Sequence, residues 1–166
     1  MSDLEKIPFM EYEIGKNFEA TVTKLENNLK SIADGDNVIS GTDEDPIVTD
    51  DDALPIRHFF MDGVYVREMT MYDGMIVIGA IHKHLHRCFL LEGHLTVASA
   101  KGVEEYIAPC FIIADPGEKR ILYAHKKSVW YNTHKNIDNI EDVKELEKQI
   151  VAVNYKDYEK YINKKQ

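Results

Sequence analysis

The chain has 166 residues, a formal net charge of −9, and 44% hydrophobic with 10% aromatic residues, a globular composition long enough to bury one core with modest extensions. The negative balance excludes a general binder of nucleic-acid backbone, which needs a basic patch. Two cysteines are too few for a disulfide framework or a thiolate zinc cage.

The opening MSDLEKIPFMEYEIGK lacks the basic-then-apolar layout of a secretory signal. No apolar run approaches the ~18 residues of a membrane span. The expectation is a cytoplasmic protein with neither nucleic acid nor membrane as partner. Residues 17–33 then carry Phe18, Val22, Leu25, Leu29 and Ile32 on one helical stripe, with Lys24, Glu26, Asn27 and Lys30 on the other sides. Such a helix must bury its stripe against the rest of the chain or against a second subunit. The pattern breaks at Asp34-Gly35-Asp36, and residues 34–52 hold eight acidic residues and no Lys or Arg. A run of that kind reads as a solvated linker. Its acidic groups lack the ligand order and terminal Glu of a calcium loop. Residues 1–53 are therefore expected to be a helix plus an acidic linker.

From residue 54 to 135 the chain changes character. Turn signals at Asp62-Gly63, Asp73-Gly74, Glu92-Gly93, Lys101-Gly102 and Pro116-Gly117 punctuate short apolar or alternating runs. The expected strands are 64–71, 75–82, 87–91, 94–99, 103–107, 110–114, 119–124 and 128–134. Short strands without intervening helical patterns point to an antiparallel sandwich or small barrel. Cys88 and Cys110 sit in apolar strand-like runs and are expected as buried free thiols. In 64–71, alternation puts Val64, Val66, Glu68 and Thr70 on one face and Tyr65, Arg67, Met69 and Met71 on the other.

The order Gly74, Ile81-His82, further histidine and Leu91-Glu92-Gly93 resembles the first motif of the cupins. Ala108-Pro109, Asp115-Pro116-Gly117 and Ser128-Val129-Trp130 resemble the second motif and the strand after it. More narrowly, Gly63–Glu68, His82-Lys83 with His86, Pro116–Arg120 and Val129-Trp130 through His134 resemble small cupin-like proteins of tailed bacteriophages. The resemblance spans about residues 54–160. It implies a mainly β fold, the double-stranded β-helix or small jelly-roll barrel of the cupins, with flanking N- and C-terminal α-helices and a ligand site in the barrel mouth. For a phage protein it implies the host cytoplasm. It implies no single activity.

In the family pattern, two histidines one residue apart and a Glu come from the first motif, and a further His comes from the second. Aligned on Gly93, these positions fall on Ala80, His82, His86 and Arg120, so the common four-ligand set is absent. His82 and His86 remain, with His84 between them and His134 on the last strand. Residues four apart on a flat strand are roughly 13 Å apart, so His82 and His86 share an ion only if the chain turns between them. His82 and His84, about 6.6 Å apart on one face, are the alternative pair. The resemblance favours the first picture because it brings in His134. A three-histidine site suits a divalent transition metal such as Zn, Fe, Mn, Ni or Cu; the bland alternative is a set of partly buried, hydrogen-bonded histidines. Arg120 would point a cation into the same cavity and suit an anionic group on a cofactor or substrate, unless Glu68 or an inward Glu92 neutralises it. Arg67 is expected on the face opposite Glu68. His58, His94 and His125 read as surface or turn residues.

Residues 136–166 return to helix. Ile140, Val143, Leu146 and Ile150 form a stripe with Asp138 or Asn139 as N-cap, and Tyr155, Tyr158 and Tyr161 form a second. Both suit packing on the barrel or on a partner protomer, so a homo-oligomer is expected. Three functions stay open: a metal-dependent enzyme on a small polar or anionic substrate, a non-catalytic binder of a small molecule or metal, and a virion-associated structural protein.

Overall fold

The computed structural model describes residues 17–32 and 53–164. The expected acidic linker therefore lies outside the described residues. In chain order these hold helix α1 (Phe18–Ser31), strands β1 (Ile56–Met61), β2 (Val64–Met71), β3 (Ile76–Ile78), β4 (Ile81–His82), β5 (His86–Ser99), β6 (Gly102–Ile107), β7 (Cys110–Ala114) and β8 (Ile121–Lys135), helix α2 (Val143–Ile150), strand β9 (Val151–Ala152) and helix α3 (Tyr155–Asn163). Among the described residues no helix is long and apolar enough to cross a membrane.

The fold is mainly β, antiparallel throughout its described pairings, with flanking helices. Its frame is the pair β5 and β8, which run beside each other for most of their length. The first half of β5 pairs with β7 and the second half with β6. Likewise β8 pairs with β3 at its start and with β2 at its end, and β1 closes that edge. Two half-sheets, β1-β2-β8-β5-β7 and β3-β8-β5-β6, thus share the same two bent strands and face each other as a small jelly-roll barrel. Met71, Leu90, Leu95, Val97, Leu122 and Trp130 fill the space between them.

The bend explains why the expected strand list needs correction. Residues 87–91 and 94–99 form one strand, as do most of 119–124 and 128–134, while 75–82 splits into β3 and β4. Strand β1 was not anticipated. Glu92-Gly93 is no turn: the β5–β8 register shifts between Leu90 and Leu95, which is a bulged kink. Across it the inward positions of β5 change from even (Cys88, Leu90) to odd (Leu95, Val97). Gly93 makes the kink possible, with φ +109° and its Cα so near β8 that a Cβ would lie 2.5 Å from Ser128 Cα.

The helices pack on this barrel. Phe18 and Val22 of α1 bury against Ala98 and Ile121 on the outer face of the second half-sheet, while Ile32 at the far end of the stripe is exposed. Buried Lys119 reaches α1 through Nζ, 2.7 Å from Glu26 Oε1. Leu146 and Ile150 of α2 pack on Tyr65. The N-cap of α2 is Asp142, which accepts from the Glu145 amide, not Asp138 or Asn139. There the Asn136 side chain closes a turn on Ile140, and Asn139 takes φ +49°, outside the extended conformation typical of an N-cap. The tyrosine stripe of α3 spreads over the same barrel: Tyr155 joins the α1 cluster, Tyr158 lies against Gly117, and Tyr161 meets His84.

The kink can be tested by comparing two glycines with positive φ. Gly63, at φ +74°, has open space where a Cβ would stand, so Gly63→Ala should cost about 1 kcal/mol for backbone strain alone. Gly93→Ala adds a collision with Ser128 backbone and should cost roughly 3 kcal/mol. Denaturant midpoints followed by Trp130 fluorescence measure both, and equal losses would remove the proposed role of the kink.

Candidate metal centre

Three strands bring three imidazoles together. β4 ends at His82, a short turn through Lys83, His84 and Leu85 reverses the chain, and β5 begins at His86. β4 is held in place by β9, through Ile81 opposite Ala152 and His82 opposite Val151. His134 comes from the end of β8, opposite Tyr65 of β2. The turn shortens the roughly 13 Å that a flat strand would impose. One ligand nitrogen each from His82, His86 and His134 then lies within 4.8 Å of the others.

The ring geometry is specific. The His82 and His86 ring centroids are 4.2 Å apart, those of His86 and His134 4.5 Å, and those of His82 and His134 5.0 Å. His86 Nδ1 donates to the His84 carbonyl at 3.1 Å. That fixes the tautomer and leaves the Nε2 lone pair directed at His82 Nδ1, 2.8 Å away. His134 lies under Tyr65, ring centroids 6.0 Å apart, and the Tyr65 hydroxyl meets His58 Nδ1 at 2.8 Å.

All three histidines are held neutral. Burial lowers His82 well below its ordinary range, and the neighbouring His86, His134, Arg67 and Arg120 add to the effect. Burial also lowers His86, against the opposing His84 carbonyl, with Arg120 lowering it further. His134 is pushed down from 6.5 to about 3, chiefly by burial and then by His86 and Arg67. Neutral imidazole is the metal-binding form, so an ion need only shift the His82 proton from Nδ1 to Nε2, with no net proton loss.

The residues fit a divalent transition ion with a small adjustment. Two nitrogens on one tetrahedral ion at about 2.1 Å are about 3.4 Å apart, so His82 and His86 would part by roughly half an ångström. His84 belongs to another contact, with its Nδ1 3.5 Å from the Tyr161 hydroxyl. Of the two sequence alternatives, the structure assembles His82, His86 and His134.

The other expected site residues divide. Arg120 stands beside the cluster, with guanidinium nitrogens 2.9 Å from Glu118 Oε2, 3.0 Å from the Ile113 carbonyl and 3.6 Å from Cys88 Sγ. Its neutralising partner is Glu118, two residues earlier, in place of Glu68 or the exposed Glu92. Glu68 is buried on the other face of β2, against Arg57 (Nε–Oε1 2.6 Å) and the Tyr131 hydroxyl, its cross-strand neighbours. Tyr65, which touches His134, marks the histidine face, so alternation turns Glu68 away from it. Arg67 shares that face and pairs with buried Glu147 of α2 at 3.4 Å. Cys88 is a buried thiol held at about 12 by burial, hence inert, while Cys110 is only half-buried. The expectation for His58, His94 and His125 also needs correction, because all three are half-buried on strands: His58 meets the Tyr65 hydroxyl, His125 meets Thr96, and the His94 ring stacks on that of His125.

Arg120 forms one wall of a cleft of about 350 Å³, lined also by Lys101, Glu104, Tyr106, Ile112 and Glu118. Lys101 and Arg120 face Glu104 and Glu118, so its charges balance. Asn132 was missed by sequence reasoning. It accepts from Trp130 Nε1 and Cys88 Sγ, each at 3.1 Å, and opposes the lowering of the His86 pKa by burial. Its signal was its place two residues before His134 on the same strand face.

No protein-family model matches the chain, and no curated protein matches it. Solved structures do. The chain is similar to a Cupin 2 conserved barrel domain protein from Salinispora arenicola, at 12% identity over 55% of this chain and 85% of that one, TM-score 0.45. An RmlC-like cupin from Shewanella frigidimarina matches at 13% identity over 63% and 93%, TM-score 0.47. Ectoine synthase from P. lautus matches at 15% identity over 64% and 74%, TM-score 0.47.

The lowered histidines set a pH dependence for the metal-free protein. Below pH 6.5 the unfolded chain takes up a proton that folded His134 refuses until about pH 3. Stability is therefore full above pH 6.5 and falls as pH drops through that window, by about 1.4 kcal/mol per unit for each histidine so held. Chelator-treated protein should lose stability between pH 6.5 and 5 in denaturant titrations, and His134→Asn should flatten the slope by about one such increment. Parallel slopes would contradict the burial argument.

Proposed function

We propose that this chain is a cupin-like barrel protein that holds one divalent transition metal on His82, His86 and His134 and receives a small polar molecule from the cleft beside Arg120. The observation that carries this reading is the convergence of three neutral imidazoles within 4.8 Å. Separate strands deliver them, and the tautomer of one is fixed by a backbone carbonyl. Three nitrogen ligands leave further positions open on Zn, Fe, Mn or Ni. Such an ion would supply Lewis-acid chemistry, or redox chemistry if it is iron or manganese.

The chain's own residues shape what can approach. Arg120 is fixed by Glu118 and the Ile113 carbonyl, so it offers directed N–H groups with little net charge. A guest with both donors and acceptors suits the balanced cleft better than a strongly anionic one. Burial, aided by Arg67 at His82 and His134 and by Arg120 at His82 and His86, holds the histidines in the neutral, metal-binding form. Within this reading Glu68 serves the outer face of the sheet, and His84 serves the contact with α3.

The resemblance of the sequence motifs to those of small cupin-like phage proteins supports a phage source and a place in the host cytoplasm. Exposed Leu91, Phe111 and Ile113 lie on one outer face of β5 and β7 and support association of protomers there. A second reading has its own observation. The 2.8 Å contact between His82 Nδ1 and His86 Nε2 satisfies both nitrogens without an ion, as in a structural protein whose histidines only brace the barrel.

Elemental analysis separates the two readings. Protein purified without an affinity tag should carry one ion per chain more than the His82→Ala/His134→Ala variant. Equal metal content, with lowered melting of the variant, would leave the bracing role alone, and equal content with unchanged melting would remove both. Thermal-shift screening of the metal-loaded protein against small polar metabolites then tests the cleft, where Arg120→Ala should abolish the shift that the parent shows.

A further inference from the structure

The outer face of the second half-sheet carries another set of metal-ligating side chains. His94 and Thr96 lie on β5, Glu105 stands opposite Thr96 on β6, and Tyr123 stands opposite Thr96 on β8, with His125 two residues further along the same face. One donor atom each from His94, Glu105 and His125 lies within 4.8 Å of the others. The kink at Gly93 makes this possible. It reverses the inward parity of β5, so His86 points into the barrel while His94, an even number of residues later, points out.

We infer that His94, Glu105 and His125 form a second divalent transition-metal site, independent of the three-histidine cluster. Three observations point there. His94 Nε2 is buried and has no hydrogen-bond partner in the protein, a state that folded proteins rarely leave uncompensated. It lies 3.6 Å from Glu105 Oε2, too far for a hydrogen bond yet close to the spacing of two ligands on one ion at about 2.1 Å. The His94 and His125 rings are stacked, centroids 4.2 Å apart. The 2.6 Å contact of His125 Nε2 with the Thr96 hydroxyl, backed by the edge of Tyr123, fixes the orientation of that ring.

Two imidazoles and a carboxylate select Zn, Co, Ni, Cu or ferrous iron over calcium and magnesium, which take oxygen ligands. Glu105 is 46% exposed, so it can swing to close the last few tenths of an ångström, and water can fill the remaining positions. An ion here would pin β5, β6 and β8 together beside the seat of α1 on Ala98 and Ile121.

Zn²⁺ uptake by the chelator-treated full chain, measured by equilibrium dialysis with elemental analysis, tests the site. The parent should bind two ions per chain. His94→Ala/His125→Ala and His82→Ala/His134→Ala should each bind one, and the variant with all four substitutions none, with folding checked by circular dichroism. Glu105→Gln in the His82→Ala/His134→Ala background should weaken the remaining ion. If His94→Ala/His125→Ala binds as much Zn²⁺ as the parent, the second site is overturned while the first stands. If the His82→Ala/His134→Ala variant matches the parent instead, the second site holds and the first fails. A parent that binds no Zn²⁺ overturns both.

Discussion

The pairing of β5 with β8 is the constraint on which the rest depends. A flat antiparallel pair of that length would present one face along its whole extent, and a single sheet cannot enclose a core. The shifted register between Leu90 and Leu95 bends the pair so that its halves face each other. That bend turns one continuous ladder into two half-sheets with Leu90, Trp130, Leu95 and Leu122 between them. The cost falls on Gly93, whose positive φ and missing side chain let β5 approach the backbone of Ser128. Ser128 in turn secures the crossing, taking the His94 amide at 3.2 Å and donating to the Lys126 carbonyl at 2.8 Å.

Burial, more than any single charge, sets the chemistry of the histidine cluster. Two arginines within electrostatic reach would by themselves attract anions, but each is tied down: Arg67 by Glu147 and Arg120 by Glu118. Their remaining effect is to oppose protonation of the imidazoles, the same direction in which burial acts. A cluster that resists protonation is poorly suited to proton relay near neutral pH. It is well suited to lending lone pairs. Glu147 gives the complementary case, since burial raises its carboxyl pKa and Arg67 opposes that rise.

Much of the fold and part of the site were legible in the sequence. The short alternating runs, the Gly-punctuated spacing and the helical stripes at both ends correspond to elements of the barrel, because each reports a local periodicity. The triad also lay within reach, since a turn between His82 and His86 was the condition for their meeting. What escaped was whatever depends on a change of phase. Glu92-Gly93 has the composition of a hairpin turn, and nothing local distinguishes a turn from a kink within one strand. The parity of β5 beyond it is therefore unreadable from sequence, where His94 reads as a surface or turn residue. The partners of Arg120 and Glu68 were equally hidden, because they depend on which strands become neighbours: Arg57 reaches Glu68 through β1, an element the pattern did not reveal.

The two histidine groups show how one strand can carry opposite environments. His86 and His94 are both on β5, and an unbroken strand would place them on the same side. The kink sends one into the barrel, where neighbouring rings and a backbone carbonyl satisfy its nitrogens. It sends the other to the outer face, where Nε2 has no protein partner and a carboxylate stands 3.6 Å away. By this measure the inner cluster is the more self-sufficient without an ion and the outer group the less so. Any function built on metal must therefore weigh the two separately, since the same bend that creates the barrel also decides which imidazoles need something to bind.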